Sequence, residues 1–265
     1  MSNALVGFSG FVGQTLLKQK AFNALYRSTN IDDIRGKAFD TIVCAGAPAQ
    51  KWIANQDPEA DRKKIDHLID CLSAATCRSF ILISTVDVFR NPISVTEDSP
   101  IDDVGLHAYG KNRRLLEKFV EEKFDNHLIV RLPGLVGPGL RKNVIYDLLN
   151  KNNLHAIESR GTFQFYSMVN LWFDIQKALE ADLRLVHLTA EPVTVSEISL
   201  QGFGARFENH LSANPATYDM RTKHGAIYAQ QGRDYTYTVR ETIQAVRAFA
   251  QSEPSVSRTV TGEGS

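Results

Sequence analysis

Three glycines stand close together near the start of the chain, in Gly7-Phe8-Ser9-Gly10-Phe11-Val12-Gly13. A short apolar run, Asn3 to Phe8, precedes the turn, and Phe11 to Lys20 places Val12, Leu16 and Leu17 on one helical face. A GxxGxxG turn between a strand and a helix is chemistry for a phosphate. Gly7 allows the tight turn, Gly10 lets backbone approach a pyrophosphate, and Gly13 lets the helix pack close to the sheet. Amide hydrogens and the positive end of the helix dipole then hold the charge. The turn therefore points to a dinucleotide, NAD or NADP. A ribose-reading carboxylate is expected about 20 residues further on, but Arg27 and Ser28 stand there and no carboxylate follows until Asp32. An arginine and a hydroxyl suit the 2′-phosphate of NADP, which an aspartate would repel. NADP is favoured; NAD is the alternative if Arg27 is a surface residue and Asp32 or Asp33 reaches the ribose.

The elements around this turn alternate. Phe22 to Tyr26, Phe39 to Cys44, Phe80 to Ser84 and His127 to Leu132 read as strands. Pro58 to about Ala75, with Ile65, Leu68, Ile69 and Leu72 at helical spacing, and Tyr109 to Phe124 read as helices. Arg90 to Leu106, rich in Pro, Asp and Ser, reads as a surface loop. The alternation predicts an α/β fold with a Rossmann-like, doubly wound parallel sheet whose ligand crevice lies beyond the carboxyl ends of the strands. The glycine turn, Thr85 and Pro133 should face that crevice. After Pro133 the alternation loosens: a helix within Pro138 to Asn150, a core strand and its turn at Phe163-Gln164-Phe165-Tyr166, a late strand at Leu183 to Leu188, and irregular chain from Glu191 to Tyr237. The division expected is a dinucleotide-binding core over 1–133 and a small, discontinuous substrate lobe over 134–251, interleaved with late core elements at about 163–190. Residues 252–265, rich in Ser, Thr and Gly, read as a disordered tail.

Bulk composition excludes several classes. Of 265 residues, 43% are hydrophobic and 23% charged, ordinary for a globular core, and the formal net charge is +0. No basic excess argues for nucleic acid or an anionic membrane as partner. No apolar run approaches the roughly 20 residues of a membrane helix, and Met1 leads at once into a strand rather than a signal peptide. Cys44, Cys71 and Cys77 are odd in number, which fits a reducing cytoplasm, the expected location. They lack metal-type spacing, and the histidines show no HxxxH pair and no cysteine partner. No metal site is read.

With the glycine turn in place, three further stretches carry a resemblance: Ile83-Ser84-Thr85-Val86-Asp87-Val88-Phe89, Tyr109-Gly110-Lys111-Asn112-Arg113, and Arg131-Leu132-Pro133-Gly134-Leu135-Val136-Gly137-Pro138-Gly139. Over about residues 3–190 the chain resembles the extended short-chain dehydrogenase/reductase family, the NAD-dependent epimerase/dehydratase group. The STxxVF stretch, Glu97-Asp98-Ser99-Pro100 and the Tyr-Gly helix are most similar to its dTDP-4-dehydrorhamnose reductase branch, which reduces a keto group on a nucleotide-linked sugar. The resemblance implies a catalytic set of Thr85, Tyr109 and Arg113. It gives the cofactor Gly7, Phe8, Ser9, Gly10, Phe11, Val12, Gly13, Arg27, Ser28, Ala45, Gly46, Ala47, Tyr109, Arg113 and Pro133. It gives a nucleotide-sugar substrate Thr85, Asp87, Arg141 and Lys142. A homodimer through a helix pair is implied by analogy only.

Carbonyl reduction supports these roles independently. Hydride transfer puts negative charge on the carbonyl oxygen, which needs a hydrogen-bond donor and finally a proton. A strand-end hydroxyl and a helix-start phenol can supply both. The family places a lysine four residues after the tyrosine; here Arg113 stands there. At about 5 Å and an effective dielectric near 20, either cation favours phenolate by roughly 3 kcal/mol. Arginine, however, cannot relay a proton. Reduction is the first reading, a nucleotide-sugar 4-epimerase the second, and a dinucleotide sensor without catalysis the third. Blander readings stand beside each residue. Arg113 and Arg114 could pair with Glu117 on a solvated face. Thr85 could bond the strand-end backbone, Asp87 could accept in a turn, and Arg141 with Lys142 could form a solvated basic corner. His107 reads as an exposed loop residue. Dehydratases of the family carry an Asp-Glu pair after the threonine, so Val86-Asp87 argues against dehydration.

Overall fold

The computed structural model describes residues 2–228 and 233–253; most of the expected tail, from residue 254 onward, lies outside them. Six parallel strands form the central sheet: β1 (Asn3–Val6), β2 (Ala24–Tyr26), β3 (Ala38–Cys44), β4 (Thr76–Thr85), β6 (His127–Leu132) and β10 (Leu185–His187), in the order β10-β6-β4-β3-β1-β2. β5 (Ile93–Val95) lies outside this sheet. Alternate residues of each strand face opposite layers. Ala4, Val6, Ile42, Phe80 and Leu82 pack with Ile65, Leu68 and Leu72 of helix α3 (Pro58–Ser73) and Leu116 and Val120 of helix α4 (Ala108–Lys123). Leu5, Val43, Ile81, Leu128 and Val130 pack on the other face with Leu16 of α1 (Phe11–Gln19) and Leu171 and Ile175 of α6 (Leu171–Glu180). Burial on both faces is why these strands read as nearly continuous apolar runs.

Local chemistry sets the helix starts. Asp57 accepts from the Ala60 amide at 3.0 Å and Pro58 follows it, so α3 begins where Pro is tolerated. α4 starts one residue before the predicted position because His107 is its cap, Nδ1 accepting from the Gly110 amide at 3.0 Å. His107 is therefore a half-buried capping residue and not an exposed loop residue. β4 begins four residues earlier than predicted, because Thr76 to Ser79 pair with Ala38 to Thr41 of β3.

Several elements differ from the sequence reading, and the small strands among them form by long-range pairing. A short helix, α2 (Lys51–Gln56), follows β3. The loop over 90–106 contains β5, which pairs in parallel with β12 (Asp219–Met220). The expected single strand at 163–166 is two, β8 (Thr162–Phe163) paired with β11 (Val193–Thr194), and β9 (Phe165–Ser167) paired with β7 (Gly134–Val136). Gln164 makes the break: its buried amide donates to Thr189 Oγ1, Ala190 O and Met220 O and accepts from the Met220 amide. A third apolar cluster joins Val136, Leu140, Phe165, and Val193 and Ile198 on either side of α7 (Val195–Glu197), to α5 (Val144–Asn150) and α8 (Val239–Ser252). α8 opens with a capping box, Thr238 with Glu241, that the periodicity argument does not use. No helix among the described residues is long and apolar enough to cross a membrane.

Candidate functional site

β1 lies between β2 and β3, so the chain reverses its direction of sheet growth at β1, and the carboxyl ends of β1 and β3 open the crevice. Gly7 has φ +85, and a Cβ there would lie 2.3 Å from Ala45 O. The close approach that Gly7 permits is thus to the end of β3, where the Ala45 amide bonds Val6 O at 2.8 Å. Ala45, Gly46 and Ala47 are half-buried beside it. A Cβ on Gly13 would lie 2.1 Å from Gly7 O, so this glycine lets α1 sit down on the turn. Gly10 differs: its Cβ would meet only Gly7 O at 3.5 Å. It caps α1 without a side-chain hydrogen bond, and no acidic residue stands in the first turn. That is a cradle open to an anion.

Phe8 stands in the turn with the Arg27 guanidinium 5.9 Å from its ring centroid, and Arg27 Nε bonds the Thr29 hydroxyl at 2.9 Å. Ser28 is exposed beside it. Asp32, the alternative ribose reader, turns toward α3, where it meets Arg35, His67 and Cys71.

At the end of β4, Thr85 Oγ1 accepts from the Asp87 amide at 3.2 Å, and its side chain adjoins the Tyr109 phenol and favours the phenolate. The backbone bond expected of Thr85 is therefore present. Tyr109 is in the first turn of α4, only 8% exposed, with its amide donating to Asn55 Oδ1 at 3.0 Å. Arg113 lies one turn on, its guanidinium 3.9 Å from the Tyr109 ring centroid. The surface pairing of Arg113 with Glu117 does not occur. Arg114 makes that pair, while Arg113, 3% exposed, is ion-paired to buried Asp61 and donates to Pro48 O. Its Nε is buried without a partner. The expected net depression of the tyrosine also fails. Burial raises Tyr109 above its ordinary value, outweighing Arg113, which pulls the other way. A cation that shares its charge with Asp61 cannot offset removal of the phenol from water.

Two residues that sequence reasoning missed complete the cluster. Lys51 Nζ, from the first residue of α2, donates to Asp87 Oδ1 at 2.7 Å and reaches the Tyr218 hydroxyl at 3.2 Å. The Tyr218 hydroxyl in turn donates to Asp87 Oδ1 at 3.2 Å. Burial works against the Lys51 charge, but Asp87 outweighs it and holds the lysine above its ordinary value. His107 is lowered by burial and then by Lys51, which keeps its imidazole neutral at pH 7. Position alone could have found Lys51, which follows the carboxyl end of a central strand. Tyr218 has no local signal, since pairing of β5 with β12 brings it in. Pro133 is half-buried at the end of β6, and Arg141 and Lys142 are exposed in the turn before α5.

No protein-family model matches the sequence, and no curated protein matches it. The fold, by contrast, is shared with many solved structures. The class it defines is a Rossmann-like α/β fold with a six-stranded parallel sheet. A dTDP-4-dehydrorhamnose reductase from Yersinia enterocolitica superposes with TM-score 0.72 at 14% identity, over 95% of this chain and 99% of that one. A UDP-N-acetylglucosamine 4-epimerase from Methanobrevibacter ruminantium, in complex with UDP-N-acetylmuramic acid, gives 0.72 at 12% identity, over 94% and 97%. A dTDP-4-dehydrorhamnose reductase from Bacillus anthracis in complex with NADP gives 0.68 at 15% identity, over 96% and 99%. The chain thus has the fold of the group that its motifs resemble.

Proposed function

We propose that this protein is an NADP-preferring reductase of a keto group on a nucleotide-activated sugar or a similar small carbonyl compound. The observation that carries the reading is the Thr85 side chain beside the Tyr109 phenol at the carboxyl end of β4, in the sheet whose glycine turn opens at β1 and β3. The residues present fit the cofactor: an uncapped helix start, an open Gly10, a cation stacked at the turn, and an orphan Arg113 Nε suited to a ribose hydroxyl. When bound, NADPH supplies the hydride. Thr85 donates to the carbonyl oxygen as charge develops, and Tyr109 transfers its phenolic proton to that oxygen. Lys51, bonded to Asp87 Oδ1 and the Tyr218 hydroxyl, is a cation that can exchange its proton, as Arg113 cannot. Segments after 133 outside the sheet form the substrate lobe, and Arg141 and Lys142 meet the substrate diphosphate.

Reduction is the first reading because burial favours the protonated phenol, the form that proton donation requires. A dinucleotide sensor is the second reading, favoured by the buried Arg113–Asp61 pair. Adding NADPH with keto-sugar nucleotides and following cofactor consumption separates them. Consumption that Tyr109→Phe abolishes supports the reductase, turnover of the sugar without net consumption supports epimerisation, and binding without turnover supports the sensor.

A further inference from the structure

On the side of α3 that faces the edge of the sheet, three side chains of metal-binding type converge. Asp32 stands in the 3-10 turn Ile31–Ile34 between β2 and β3, and His67 and Cys71 lie one helical turn apart on α3. The sequence reading gave the histidines no cysteine partner; the helix supplies one. Asp32 Oδ1 is 3.5 Å from Cys71 Sγ, His67 Nε2 is 3.3 Å from Asp32 Oδ2, and His67 Nε2 is 3.8 Å from Cys71 Sγ. A tetrahedral zinc ion at ordinary bond lengths holds S, N and O ligand atoms roughly 3.3–3.6 Å apart. The first two separations involve different carboxylate oxygens; with one ligand atom from each residue, all three lie within 4.8 Å of one another, near the spread that one face of that tetrahedron requires.

We propose that Asp32, His67 and Cys71 bind a divalent cation of the zinc class, with the fourth position open to water. Cys71 is fully buried, whereas the Asp32 and His67 side chains are 62% and 48% exposed, so the open side faces solvent. A thiolate and a carboxylate balance the two charges of the ion, and sulfur with imidazole selects zinc or cobalt over magnesium or calcium. The incoming ion displaces the Cys71 thiol proton to solvent as the S–metal bond forms. Arg35 does not block the site. Its Nε lies 3.3 Å from Asp32 Oδ1, but its stronger bond, 2.7 Å, is to Asp70 Oδ2, with a further bond to Asp70 O. The ion would staple the short turn after β2 to α3, beside the edge strand of the sheet.

Cobalt titration of the full chain tests this without cofactor or turnover, so its outcome is separate from that of the reductase reading. One equivalent of Co²⁺ should produce sulfur-to-cobalt charge-transfer absorption with the intense visible bands of four-coordinate cobalt, and one equivalent of Zn²⁺ should remove both. Cys71→Ser should abolish the charge-transfer band. His67→Ala, a substitution at a partly exposed helix position, should weaken Zn²⁺ binding at least tenfold with the circular dichroism unchanged. The proposal is overturned if the unaltered protein gives no such band, if the band survives Cys71→Ser, or if His67→Ala binds Zn²⁺ as tightly as the parent.

Discussion

Tyr109 sits between opposed influences: burial favours its neutral phenol, while Arg113, the Thr85 hydroxyl and Lys51 favour the phenolate, and burial prevails. As proton donor Tyr109 must be protonated, so reduction should hold through neutral pH and decline only as pH rises through a value above 10.0. A pH profile of kcat with NADPH checks this; a decline centred near neutrality would assign the proton to another group. Tyr109→Phe should lower kcat by about 10²–10⁴-fold, the range for a lost general acid, and leave NADPH affinity nearly unchanged. Lys51→Ala should lower turnover, and added methylammonium should restore part of it. A purely structural lysine would show no such rescue. Thr85, Tyr109 and the Lys-to-Arg departure at 113 are all legible in the sequence, because their spacing is local to a strand end and a helix start. The burial of Arg113 against Asp61 is not, since that partner comes from α3. Breaking the pair by Asp61→Ala should cost about 3–5 kcal/mol by leaving a buried charge uncompensated, measurable by denaturant unfolding.

At the scale of elements, the glycine turn makes the sharpest prediction. Gly13→Ala would place a methyl group 2.1 Å from Gly7 O, and backbone cannot yield as a flexible side chain can. α1 should lift from the turn, with a lower Tm and loss of NADPH binding by calorimetry; unchanged binding would separate the turn from the cofactor. β6 is read from sequence with the bounds it has, since an apolar run buried on both faces admits few alternatives. α3 is read well because Ile65, Leu68, Ile69 and Leu72 recur at helical spacing after Pro58. The small strands after 133 are not legible because their partners are distant: Asp219 pairs with Ile93, and Val193 with Phe163. α8 was within reach through its capping box. Thr238→Ala should cost about 1 kcal/mol of stability, read as a shift in the denaturation midpoint.

Across the whole molecule, the seam between β6 and β10 is polar and buried. Arg131 forms a two-pronged ion pair with Glu117, which also accepts from Ser84, and Arg131 Nη1 lies 3.2 Å from His187 Nε2. His187 Nδ1 faces Arg221 O, so the neutral ring uses both nitrogens and a second ring proton would point at a guanidinium. Burial, with Arg131, holds His187 down at about 4, although Glu97 opposes this. A depressed histidine contributes stability that is complete above pH 6.5 and lost as pH falls toward 4. Tm should therefore fall over that interval, and His187→Gln should flatten this part of the profile. Glu117 and Glu97, both held below their ordinary values, account for further loss at lower pH. The parallel sheet was foreseeable from alternation alone, but this ionic seam was not. Neither Arg131 nor His187 announces in sequence that its strand neighbour will be the other.

The most direct test of the proposed function is a crystal of the protein soaked with NADPH. The account predicts the pyrophosphate against the amides of residues 11–13, the 2′-phosphate beside Arg27, and the nicotinamide facing the Thr85 and Tyr109 hydroxyls. A pyrophosphate bound elsewhere, or a nicotinamide turned away from Tyr109, would contradict it.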